Sequence, residues 1–164
     1  MVKFFRLLDK RLMILVVLLL IASPLLWGKN TYTYCLIYSH YLTVYVNPVF
    51  LLFVYQYIYR LNQIHHPLIL RLSKDDYETY SYISVIILAL VYCLFVYSSY
   101  YVFFPVIENN QLVYTLLFMI VNLSMICFEC SLIYLQLGKH KRFMYIAFPI
   151  FINFLFHFLW LYYF

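Results

Sequence analysis

Charge is scarce in this chain. Lys, Arg, Asp and Glu together supply 10% of its 164 residues, where an ordinary soluble domain carries about 25%. Glycine is scarcer still, with 2 residues. No Gly-rich phosphate loop or Walker A motif is therefore present, and any ATPase acting with this chain must be a separate polypeptide. Strands of about ten residues with alternating polarity, the mark of a membrane barrel, are missing too. The apolar runs here are unbroken and longer.

Apolar and aromatic residues make up 67% of the sequence. A soluble fold of this size leaves too much of its chain at the surface to hide them, whereas lipid can cover them. Backbone polar groups in hydrocarbon must be bonded within their own segment unless the structure is a closed barrel. The sequence thus predicts an all-α, polytopic transmembrane bundle forming one membrane domain over 1–164. About five spans are expected, at 12–28, 41–59, 80–106, 112–137 and 143–164, given that a crossing needs about 17–25 residues. The first is short unless Lys10 and Arg11 snorkel. It has features of a signal peptide, including "IAS" at 21–23, but Pro24 and further apolar sequence follow, which favours an uncleaved anchor helix.

The connectors set the orientation. "MVKFFRLLDKR" carries Lys3, Arg6, Lys10 and Arg11, the 28–40 connector has only Lys29, and the 60–79 connector holds Arg60, Arg71 and Lys74. Residues 107–111 have no cation, and "GKHKR" at 138–142 has Lys139, Lys141 and Arg142. Rich and poor alternate at every connector, which puts the N-terminus in the cytoplasm and the C-terminus outside. The net charge of +5 belongs to these anchors and gives no reason to expect nucleic acid. Many of the 20 Tyr and 16 Phe fall near expected span ends, where amphipathic rings favour the headgroup level.

The fourth span holds the candidate chemistry. Asn122, Glu129 and Gln136 recur every seven residues, so they share one helix stripe facing the bundle interior or a partner subunit. An ionisable group inside a span costs about 2.5–3.5 kcal/mol on insertion scales and marks function by default. Counting from the 138–142 turn puts Glu129 and Asn153 at nearly equal depth, with His157 one turn further, closer to the middle. On one reading Glu129 carries its proton and hydrogen-bonds Asn153 to hold helices together. On the sharper one Glu129 and His157 form a proton or substrate relay. Cys127 and Cys130 form a CxxC on the same helix, able to support thiol exchange but equally suited to packed interiors. Asn47-Pro48 predicts a kink that frees carbonyls near Val44; Pro105 marks a span end and Pro149 another kink.

The polar connector 60–79 contains His65-His66, Asp75, Asp76 and Glu78. Adjacent histidines rarely face one ion, and no i,i+4 histidine pair accompanies them. No metal, cofactor or enzymatic constellation is expected. Ser73 followed by Asp76 resembles a capping box, which starts a helix at Lys74 in the cytoplasm with acidic residues in its first turn. Before it, "PLILRL" presents leucines suited to an interfacial or protein-facing surface.

The stretch "YIYRLNQIHHPLILRLSKDDYETYSYISVIILALVY" resembles the second-to-third-span region of small ABC-2-type permease subunits of bacterial peptide export and immunity. "MVKFFRLLDKR" is similar to the amphipathic segment ahead of their first span. The resemblance implies a bacterial plasma membrane, other membrane subunits and a nucleotide-binding ATPase as partners. It implies docking of that ATPase on Leu68, Ile69, Leu70, Arg71, Leu72 and Ser73. Those permeases usually have six spans, and this chain reads as five. A non-transporting accessory or scaffold subunit is the alternative, and a thiol oxidoreductase using Cys127 and Cys130 is the third reading.

Overall fold

The computed structural model describes residues 4–26, 31–64, 73–106, 109–139 and 142–163, and among them every regular element is helical. Helix α1 covers Lys10–Leu25, α2 Tyr32–Ile37, α3 Asn47–Gln63, α4 Lys74–Phe103, α5 Leu112–Tyr134 and α6 Met144–Tyr163. A π-helical turn at Leu42–Val46 leads directly into α3, so the segment from Tyr32 to Ile64 behaves as one interrupted span of 33 residues.

Three segments are long and apolar enough to cross a membrane: Tyr32–Ile64, Lys74–Phe103 and Leu112–Tyr134. At 1.5 Å per residue the shortest reaches about 35 Å, beyond the ~30 Å of hydrocarbon. The apolar part of α6, Met144–Trp160, is shorter. Helix α1 has 16 residues, about 24 Å, and begins with Lys10 and Arg11.

One expected boundary shifts. The second span begins at Tyr32 rather than at residue 41, because "YTYCLI" coils into α2 and packs inward, with Tyr32, Thr33, Cys35, Leu36 and Ile37 buried. The polarity of "TYTY" reads as a connector, yet its hydroxyls find partners. Tyr32 donates to the Tyr97 carbonyl, and Thr33 bonds Thr115 at 2.6 Å. The third helix begins at Lys74, where the Ser73 hydroxyl accepts from the Asp76 amide at 3.1 Å.

The surface is inverted relative to a soluble protein. Leu18, Leu94, Phe95, Ile120, Phe151 and Phe158 are exposed, while Ser81, Ser84, Asn122, Glu129, Gln136 and Asn153 are buried. A contiguous apolar surface of this kind needs a nonpolar solvent, and polar side chains between helices act as interhelical glue. The chain is accordingly a multi-pass membrane protein.

Tyr57, Tyr77 and Tyr100 are fully buried. A phenol offers an apolar body and one hydroxyl, and here that hydroxyl ties helices together. Tyr57 bonds Ser84 at 2.8 Å, Tyr77 donates to the Leu61 carbonyl, and Tyr100 reaches both Ser23 and Ser39.

Polar contacts also gather the cation-bearing segments at one end. Arg60 donates to the Leu7 carbonyl at 3.0 Å and pairs with Asp9, which caps α1 by accepting from the Arg11 and Leu12 amides. Asn62 donates to the Gln136 carbonyl and accepts from the Gly138 amide. Tyr134 donates to the Glu78 carbonyl. At the opposite end Trp160 donates to the Tyr114 hydroxyl at 3.0 Å.

A candidate functional site at a π-turn in the second span

The interruption before α3 has an identifiable local cause. The Asn47 amide bonds back to the Leu42 carbonyl, five residues earlier, which sets a π register. In that register the next donor, due to the Thr43 carbonyl, would come from residue 48. Proline has no N–H. The Thr43 carbonyl, next to Val44, is therefore left without a backbone donor in that register. The Asn153 side-chain amide on α6 approaches this carbonyl at 3.5 Å.

From this turn a chain of side-chain bonds crosses the bundle. The Tyr92 hydroxyl on α4 donates to Asn47 Oδ1, and Asn47 Nδ2 donates to Asn153 Oδ1 at 3.1 Å. Tyr92 is held flat against Phe50, with ring centroids 3.8 Å apart. Thr43 donates its hydroxyl to the Ser39 carbonyl, which leaves its oxygen to accept from His157 Nδ1 at 3.2 Å. That assignment makes His157 Nε2 an acceptor, and His40 Nδ1 meets it at 3.0 Å. His40 is exposed, so the chain of bonds opens at the end of the bundle away from Arg60. Beside it lies a cavity with about 10 Å³ open to the centre of a water, room for about one molecule. Thr43, Asn47, Asn122, Asn153 and His157 supply its polar walls.

The expected stripe on α5 is buried throughout, with Asn122 8%, Glu129 1% and Gln136 0% exposed. Its members have different surroundings. Asn122 donates to the Tyr97 hydroxyl at 3.2 Å. Glu129 Oε2 and both amide atoms of Gln136 have no hydrogen-bond partner among the described residues.

The expected Glu129–Asn153 bond is not formed; Asn153 is engaged by Asn47 and Thr43. Phe118 packs against Trp160, and Asn122 of α5, not Glu129, lines the cavity of Asn153.

Cys130 is buried and Cys127 half-buried, and both are free thiols. Leu68, Ile69, Leu70, Arg71 and Leu72, expected to dock a partner, lie outside the described residues, as do His65 and His66; Ser73 is the cap of α4. Asn47 read as a kink residue alone, although the Asn-Pro pair carried the signal. Nothing in the sequence singled out His40, Thr43 or Tyr92. No protein-family model, curated protein or solved structure matches the chain.

Proposed function

We propose that this chain is the membrane-embedded, permease-like subunit of a bacterial transport complex in the plasma membrane. It has five spans, a cytoplasmic N-terminus and an outer C-terminus. A separate ATPase engages the connector at 60–79, including Leu68–Ser73. The observation that carries the reading is the polar chain from exposed His40 through His157, Thr43, Asn153 and Asn47 to Tyr92. Polar side chains at membrane depth that lead to an exposed end are what a substrate or ion path requires, and π-turns inside helices are frequent at functional sites. The cation-bearing segments meet at the other end, the side on which cytoplasmic loops carry Lys and Arg. The capped start of α4 presents Lys74, Asp75 and Asp76 to solvent there, beside the docking segment.

A second reading rests on the same bonds. Both polar atoms of the Asn47 side chain are paired within the chain, as expected of glue in a non-transporting accessory subunit. Gentle purification from native membranes separates the two. The transport reading expects a nucleotide-binding protein to co-purify and to be lost when Leu68, Leu70 and Leu72 are changed to Ser. Retention of the partner and of transport in that variant would reject coupling through the connector and leave the accessory role.

A further inference from the structure

Glu129 and Gln136 take no part in the chain of bonds at the π-turn, and their burial needs its own account. Among the described residues, Glu129 is 1% exposed with Oε2 unpaired, and Gln136 is 0% exposed with neither amide atom paired. Native structures keep few such groups, and those that remain point to an ordered water, an ion or a functional role. The two residues are seven apart on one face of α5 and its C-terminal turn, about 10 Å along the axis. Gln136 is the nearer to the cation-bearing end, where its own carbonyl accepts from Asn62.

Among the described residues no cation pairs with Glu129. The ion pairs among the described residues are Arg60–Asp9 and Lys74–Glu78. Tyr92 and Cys93 of α4 and Cys130 of its own helix lie within electrostatic reach of Glu129; none of them is a cation. A carboxylate so placed would be an uncompensated buried charge. The neutral acid avoids that penalty and still needs a partner for its free oxygen.

We propose that Glu129 is a proton-binding site in the membrane interior, filled from the cation-bearing end through water held by Gln136. The carboxylate takes one proton from a hydronium arriving along that path and returns it the same way. The path is separate from the polar chain at His40, which opens at the opposite end. The site goes beyond the proposed transport role and does not depend on an ATPase partner.

The test is infrared difference spectroscopy on the full chain in lipid nanodiscs, titrated in H2O and in D2O. Expected is a protonated-carboxyl C=O band at neutral pH, where exposed carboxylates are ionised, lost at alkaline pH and missing from Glu129→Gln. Gln136→Leu is expected to keep the band and slow its shift on transfer to D2O several-fold. If Glu129→Gln does not fold, the Gln136→Leu exchange rate and isotope labelling of the glutamates carry the test. Absence of the band at neutral pH, its survival in Glu129→Gln, or D2O exchange as fast in Gln136→Leu as in the parent would overturn the proposal.

Discussion

Asn47 is where the bundle is most exposed to a single change. Its Oδ1 accepts from Tyr92 on α4, and its Nδ2 donates to Asn153 on α6 at 3.1 Å, so one side chain joins three helices. Leucine has the same branching as asparagine and suits the helical backbone at this position, so Asn47→Leu removes the two bonds, while its larger methyl groups add some crowding. Interhelical hydrogen bonds in membranes average about 0.6 kcal/mol and reach about 1.7. Removing one partner so that the other is stranded while buried costs about 1–3 kcal/mol. With the Tyr92 hydroxyl and Asn153 Oδ1 both stranded, Asn47→Leu should cost about 2–6 kcal/mol. Tyr92→Phe keeps the ring stacked on Phe50 and deletes only the hydroxyl. The pair therefore closes a double-mutant cycle, with an expected coupling of about 0.6–1.7 kcal/mol. Reversible unfolding in mixed micelles measures each corner. A neutral Asn47→Leu, or strict additivity with Tyr92→Phe, would refute the argument that these bonds join the helices.

Two further outcomes follow from the buried tyrosines and the first cap. Tyr100→Phe removes a hydroxyl shared by Ser23 at 2.5 Å and Ser39 at 2.7 Å, whereas Tyr57→Phe strands Ser84, which still donates to the Ser81 carbonyl. Micelle unfolding should show Tyr100→Phe costing about 2 kcal/mol and Tyr57→Phe about 1. Partial desolvation opposes the charge on Asp9, but the Arg11 and Leu12 amides and the Arg60 and Arg11 cations together hold its carboxyl below the usual carboxylate range. A depressed carboxyl stabilises the fold above its unfolded pKa and loses that effect as pH falls through its folded one. Asp9→Asn should therefore be less stable than the parent at neutral pH, with the gap closing in strong acid. A gap that is constant with pH would exclude the charge as its source.

What could be read from the sequence was what depends on one helix at a time. The seven-residue recurrence of Asn122, Glu129 and Gln136 marks the buried face of α5 because helical period alone decides it. Ser73 and Asp76 mark the start of α4 because a cap is local chemistry. Relations between helices were not legible. Whether Asn153 meets Glu129 or Asn47 depends on the offset between α5 and α6 and on the π register at Leu42–Val46, which no residue spacing encodes. His40 and His157 are 117 positions apart, and no spacing in the sequence pairs them. Tyr92 sits in an aromatic-rich sequence where one more tyrosine carries no signal until its hydroxyl has an address.

The central claim is a membrane bundle whose cation-bearing end is cytoplasmic and whose His40 end faces out. Reporter fusions placed after Gln63 and after Phe164 test it most directly. The account predicts a fluorescent cytoplasmic reporter and inactive alkaline phosphatase at Gln63, with the reverse at Phe164. Fluorescence at both positions would contradict it, because α6 would then fail to carry the chain across.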